Sequence, residues 1–148
     1  MASVEFEKYE GSGNDFILID NRHGAVPEGE KVAFVRRYAP RARGIGADGV
    51  IFIEKDREAA FRWDFFNADG SRAEACGNGA RCAAVFAHRL GIAGQIMNFR
   101  TLAGMVRAEI NENGARVQLP AATPPAEIRD LDVNGTPRHL FFLNTGVP

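Results

Sequence analysis

The sequence predicts a mixed α+β (α/β) fold, in which a barrel-like, curved sheet surrounds a central buried helix. Three observations carry this expectation. Short apolar or alternating runs of strand length stand on both sides of the middle of the chain. Between them, residues 80–90 (Ala-Arg-Cys-Ala-Ala-Val-Phe-Ala-His-Arg-Leu) are apolar around most of a helical circumference, the pattern of a largely buried helix. The order of elements is strands, helix, strands, helix, strands, which places both types in one packed unit.

In chain order, residues 4–10 and 16–21 are short and β-prone and flank the loop Gly11-Ser12-Gly13-Asn14-Asp15, giving a strand–loop–strand start. Residues 28–39 carry Val32, Val35 and Tyr38 at helical spacing, and Pro40 ends that helix. Residues 50–54 and 61–66 read as strands. A polar, glycine-bearing segment follows over residues 67–79 and leads into the central helix, for which Gly91 is the natural stop. Three further strands are expected at residues 96–101, 105–110 and 115–119, with Asn113-Gly114 as a hairpin signal between the last two. Thr123-Pro124-Pro125 breaks the pattern, and residues 128–133 and 138–143 form another pair around Asn134-Gly135. The run Leu143-Asn144-Thr145-Gly146-Val147-Pro148 has no polar finish, as expected of a cut inside a longer protein.

Composition narrows the function classes. The chain has 148 residues, 45% hydrophobic and 25% charged, an ordinary globular balance. Its 18 basic and 19 acidic residues leave a net charge of −1, so no charge excess points to nucleic acid or to a membrane surface. The one local basic cluster, Arg36-Arg37 with Arg41 and Arg43, reads as a solvated helix face and turn. The amino terminus lacks the pattern of a signal peptide, and no apolar run approaches the roughly 20 residues of a membrane span. A cytoplasmic location is therefore expected, and the two cysteines, Cys76 and Cys82, fit a reducing compartment. They form no CxxC and have no histidine at metal-ligand spacing, so no metal is expected.

Gly44-Ile45-Gly46-Ala47-Asp48-Gly49 matches the dinucleotide pattern G-x-G-x-x-G. That pattern works when it follows a strand and opens a helix. Here a helix precedes it and a strand follows, so nucleotide binding is set aside. The chemistry is expected instead at Cys76, directly before Gly77-Asn78-Gly79 and a buried helix. Backbone N–H groups without intrahelical partners and the positive end of the helix dipole favour a thiolate there. The same N–H groups can receive a carboxylate, and glycines permit its close approach. Cys82 lies six residues on, about 120° around a helix at 100° per residue, among alanines, and reads as core. Gly11-Ser12-Gly13-Asn14 reads equally as a plain turn or as an amide aimed at a ligand. His23, His88 and His139 are isolated.

Four segments taken together resemble one family. They are Lys8-x-x-Gly11-x-Gly13-Asn14-Asp15-Phe16, Gly44-Ile45-Gly46-Ala47-Asp48-Gly49, Phe66-Asn67-Ala68-Asp69-Gly70-Ser71 and Cys76-Gly77-Asn78-Gly79-Ala80-Arg81-Cys82. In that order they look like the motif series of diaminopimelate epimerases. The resemblance implies an isomerase that interconverts LL- and meso-diaminopimelate for lysine and cell-wall biosynthesis, with no pyridoxal phosphate or other cofactor and no metal. It implies two similar domains about a pseudo-two-fold axis, each giving one cysteine to a shared cleft. Carried onto this chain, Cys76 is the first catalytic cysteine, Gly77 and Asn78 are carboxylate-side contacts, and Asn14 and Asn67 are substrate-binding asparagines.

Residues 1–148 are then a single amino-terminal domain. The carboxyl-terminal domain with the second cysteine is missing, so the chain alone is expected to be inactive or nearly so. The expected partners are diaminopimelate and that missing domain; a homodimer is compatible with the sequence, which does not itself fix the oligomeric state. At Gly49 and Val147 the chain departs from relatives that carry a glutamine and an asparagine in contact with substrate. Two alternatives are a truncated, non-catalytic binding domain and a proline or hydroxyproline racemase-like relative on the same fold.

Overall fold

The computed structural model describes residues 3–119 and 121–143. They fall in two compact units, Met1–Gln118 and Leu119–Pro148. The first unit is a seven-stranded mixed sheet whose strands follow chain order: β1 (Glu7–Gly11), β2 (Asn14–Asp20), β3 (Gly49–Glu54), β4 (Phe61–Asn67), β5 (Ile96–Thr101), β6 (Gly104–Asn111) and β7 (Gly114–Gln118). β2–β3 and β4–β5 are parallel, and the other neighbours are antiparallel. Two helices join strands of this sheet, α1 (Lys31–Tyr38) and α2 (Gly77–Arg89). Helix α2 touches β1, β2 and β3 as well as β6 and β7, so both ends of the sheet curl onto it. The expected curved sheet around a central helix is what forms.

The central strands are continuous apolar runs because both of their faces are covered. With a side-chain period of two, Phe16, Leu18, Ile51, Ile53, Trp63 and Phe65 face α2. Ile17, Ile19, Val50, Phe52 and Phe66 pack into a second core with Val35 of α1. The helix expected over residues 28–39 begins as a 3-10 turn, Glu28–Glu30, and becomes α-helical only at Lys31. Its inward stripe is also shifted. Lys31 and Val35 are buried while Val32 is 37% exposed, because a lysine rather than a valine occupies the i−4 position below Val35. Lys31 is tolerated there by three carboxylates, Glu54 at 2.6 Å, Glu28 at 2.7 Å and Asp64 at 2.8 Å.

The central helix starts three residues earlier than the sequence pattern suggests. Gly77-Asn78-Gly79 is its first turn rather than a preceding loop, with Cys76 as the cap residue. Gly79 explains why a glycine-rich turn is buried. A Cβ there would lie 3.1 Å from Ile51 Cδ1 and 3.5 Å from Phe16 and Trp63, so its absence lets the helix seat closely on the sheet. The first strand is likewise displaced, pairing from Glu7 opposite Leu18 to Gly11 opposite Asn14. Ser12 and Gly13, at φ 53 and 88°, make the two-residue turn whose twist suits a hairpin.

The glycine motif at residues 44–49 has a packing role. Gly44 meets the end of α1 so closely that a Cβ would stand 2.3 Å from the Tyr38 carbonyl oxygen. Ile45 N–H donates to that same oxygen at 2.8 Å. Backbone cannot retreat as a flexible side chain can, so Gly44→Ala is expected to destabilise the fold by about 1–3 kcal/mol. Urea unfolding measures this, and an unchanged midpoint would remove the close approach from the account.

The second unit contains the hairpin β8 (Ala126–Val133) and β9 (Thr136–Phe142), turning at Asn134-Gly135 and irregular between Ile128 and Leu131. The position of Val147 lies outside the described residues. No helix among the described residues is long and apolar enough to cross a membrane.

Candidate active site

The chemically suggestive residues meet on one rim of the curved sheet. Register puts them there: Gly11 pairs with Asn14, Phe16 with Gly49, and Gly49 with Asn67. The end of β1, the starts of β2 and β3 and the end of β4 are thus neighbours. The amino-terminal turn of α2 reaches the same rim, where Asn78 meets Asn14 and Gly11. β4 and β5 pair only at Phe61–Phe99 and Arg62–Arg100 and then diverge. Residues 71–73 fill the gap, with Asn67 N–H donating to the Ser71 carbonyl at 2.8 Å and Ala73 N–H to the Phe65 carbonyl at 3.0 Å.

Cys76 caps α2 with its sulfur, which accepts from Gly79 N–H at 3.4 Å. The N–H groups of Gly77 and Asn78 lie in the first turn, where no intrahelical acceptor exists. Cys76 is half-buried, whereas Cys82 is 4% exposed and packed in the core. Burial pushes the Cys82 thiol up to about 11 from 9.0. Its sulfur lies under the first hairpin, 3.1 Å from where a Cβ on Gly11 would stand. Timed alkylation with mass mapping is therefore expected to label Cys76 first at neutral pH. The native fold holds the Cys82 proton more tightly than the unfolded chain does. Its contribution to stability is thus present below 9.0 and is lost as pH rises towards 11. Labelling of Cys82 first near neutral pH would contradict both statements.

Two of the positions singled out in the sequence, Asn14 and Asn78, are directly coupled. Asn78 Nδ2 donates to Asn14 Oδ1 at 2.7 Å, from within the first turn that Cys76 caps. Asn14 Nδ2 in turn donates to Asp48 Oδ2 at 3.1 Å. Asn67 stands apart from this chain of bonds. It is exposed, and its Nδ2 donates to Ser71 Oγ at 3.0 Å, although its register partner Gly49 follows Asp48. Arg36 of α1 steadies that turn by donating to the Asp69 carbonyl at 2.9 Å.

Gly49 has no room for a longer side chain here. A Cβ would lie 2.5 Å from a Phe65 ring carbon and 2.8 Å from the Phe66 carbonyl oxygen. The departure at this position therefore goes with a ring that occupies the space.

Four polar residues with no assigned role in the sequence complete the rim. Arg41 donates to Asp15 at 2.6 and 3.0 Å and to Asp48 at 2.7 Å. It is thus more than part of a solvated basic turn. Its hydrogen bonds hold the Asp15 carboxyl well below the usual carboxylate range, and Lys8 adds a contact at 2.9 Å. Asp48 is lowered too, first by the hydrogen bond from Asn14. Arg81 donates to Asn78 Oδ1 and, at 3.0 Å, to Ser12 Oγ. The spacing of Asn78 and Arg81, one helical turn apart, was the available signal; nothing local announced Asp48. Among the described residues, no group of three histidine, cysteine or carboxylate side chains is arranged to hold a metal.

Comparison with known proteins gives the relatives of the chain. Residues 6–124 match the family model described as diaminopimelate epimerase. A diaminopimelate epimerase of Aquifex aeolicus is 45% identical over 98% of this chain and 55% of its own length. One from Archaeoglobus fulgidus is 38% identical, covering 98% of this chain and 56% of the relative. The chain thus spans about half the length of the curated relatives it matches. Among solved structures, a PhzF-family phenazine biosynthesis protein from Bacillus anthracis is similar with a TM-score of 0.65 at 18% identity, over 83% of this chain and 42% of that one. A probable proline racemase from Agrobacterium radiobacter gives 0.64 at 16% identity, over 95% and 49%. These two likenesses concern the fold alone.

Proposed function

The chain belongs to the diaminopimelate epimerase family, and on that premise we propose that it forms the amino-terminal half of a site that inverts the α-carbon of diaminopimelate without a cofactor. The observation that carries the proposal is Cys76 as the sulfur cap of α2, beside the first-turn N–H groups of Gly77 and Asn78 and the Asn78–Asn14 bond. The substrate's carboxylate docks on those N–H groups, which also stabilise the charge that develops as the α-carbon loses its proton. Asn14 and Asn67 make further contacts along the rim.

Inversion needs a base on one face of the α-carbon and an acid on the other. Cys76 as thiolate takes the proton in one direction; as thiol it returns one in the other. Cys82 is unsuited to the opposite role, since it is buried in the core on the same helix. The second acid comes from a domain beyond this chain, and the shared cleft forms against it. The 148-residue chain by itself is therefore expected to show no enzymic epimerisation.

The test is incubation of the full-length protein in deuterated water with diaminopimelate, and separately with proline. Interconversion of LL- and meso-diaminopimelate with one solvent deuteron at the inverted carbon is expected. Inversion of proline instead would move the chain to the racemase reading, and comparable turnover by the 148-residue chain would refute the half-site.

A further inference from the structure

The polar side chains of the rim form a relay with only one possible direction. Arg81 has N–H donors and no acceptor, and an ionised Asp48 accepts and cannot donate. Between them stand two amides, each able to do both. Arg81 donates to Asn78 Oδ1, Asn78 Nδ2 donates to Asn14 Oδ1 at 2.7 Å, and Asn14 Nδ2 donates to Asp48 Oδ2 at 3.1 Å. Turning either amide over would face nitrogen to nitrogen or oxygen to oxygen, with a loss at both of its bonds. The cation at one end and the carboxylate at the other thus fix both amides. The anchors are themselves held, Asp48 by Arg41 at 2.7 Å and by Asp15 N–H at 3.2 Å, and Arg81 by Ser12 Oγ at 3.0 Å.

We propose that Asp48 and Arg81 are positioning residues that set the direction of the Asn14–Asn78 pair, and with it where the pair's remaining N–H groups stand for a ligand. Each Oδ1 accepts one bond in the relay and keeps a second lone pair, and each Nδ2 keeps one hydrogen outside it. The ligand group that these fixed N–H groups recognise is an acceptor, such as a carboxylate oxygen. This selectivity rests on the reading of the rim as a diaminopimelate half-site; the direction of the relay does not.

The direction can be read without ligand, by through-hydrogen-bond couplings in the isotope-labelled 148-residue chain. Coupling from Asn78 Nδ2 to Asn14 Cγ, and from Asn14 Nδ2 to Asp48 Cγ, is expected. Coupling from Asn14 Nδ2 to Asn78 Cγ, or two sets of side-chain amide signals, would overturn the proposal.

Variants then test what sets it. Asp48→Asn and Arg81→Gln should each keep one direction, because the opposite end still dictates it. Together they leave four amides with no fixed sense, and two sets of signals are expected. Replacing Arg81 by Lys beside Asp48→Asn restores a donor-only end and should restore the single set, which a purely structural role would not do. A double Asn/Gln variant that keeps one direction would overturn the assignment, and if it does not fold, the wild-type couplings decide alone. In the full-length protein, the KM for diaminopimelate in the Asn/Gln variant should rise by more than the product of the two single effects, with kcat changing less. Correct couplings with no diaminopimelate effect on these signals would count against the functional reading and leave the relay standing.

Discussion

Replacing Cys76 with alanine in the full-length protein is expected to lower diaminopimelate epimerisation by about 10²–10⁴-fold, the usual worth of a positioned acid or base. Among the described residues, the sulfur sits at the one place where a nucleophilic side chain, first-turn N–H groups and an oriented amide pair coincide. Under the proposed mechanism that sulfur is base in one direction and acid in the other, and the fixed equilibrium constant requires kcat/KM to fall equally in both. Cys82→Ala supplies the contrast. That thiol is core-packed with its proton held up to about 11, and turnover should stay at the same order of magnitude. Initial rates from each stereoisomer decide the matter. An unchanged rate in Cys76→Ala would withdraw the assignment, and a larger loss from Cys82→Ala would reverse it.

Lys31→Met is expected to lower stability by about 3–5 kcal/mol. The lysine side chain is 2% exposed, and removing its charge strands Asp64 and Glu54, themselves only 8% and 14% exposed. Asn21 still donates to Glu54 at 2.7 Å and Arg72 to Asp64 at 3.2 Å, which places the loss towards the lower end of that range.

Burial alone would lower the ammonium's pKa, but hydrogen bonds to Asp64, Glu28 and Glu54 together outweigh it and raise the value above 10.5. A raised folded value means that the lysine's contribution is complete through the neutral range and is lost only as pH climbs through that raised value. Lys8→Met is the control: its pair with Asp15 is 40% exposed at the lysine, and such surface pairs are worth about 1 kcal/mol or less. Denaturant unfolding of the two variants should therefore differ clearly. Equal losses would show that the buried cluster contributes no more than a surface pair.

Much of this protein was determined by its sequence alone. Strand and helix periods identify the elements, because a side-chain repeat of two or 3.6 residues leaves its mark in any short window. The runs at Phe16-Ile17-Leu18-Ile19 and Val50-Ile51-Phe52-Ile53 read as strands and the alanine-rich run around Cys82 as a buried helix, while the covering of both strand faces came from the structure. Cys76 before Gly77-Asn78-Gly79 announced a helix-terminal sulfur for the same local reason, although the helix itself begins one turn earlier than apolar periodicity can show. Glycine has no side chain with which to register a period.

What the tertiary structure alone decided lies between residues far apart in the chain. Asn14 and Asn78 are 64 positions apart, and only the sheet's curl around α2 brings their amides to 2.7 Å. Asp48 and Arg81 acquire meaning there, since a carboxylate and a guanidinium can orient an amide only across a distance set by folding. Lys31 reads as a surface residue until Glu54 and Asp64, from two different strands, close over it. The empty side of Gly49 is likewise explained by a Phe65 ring that arrives from the neighbouring strand. Local periodicity reports which face of an element seeks burial. The partner that a buried polar atom finds depends on long-range register, which no window of sequence contains.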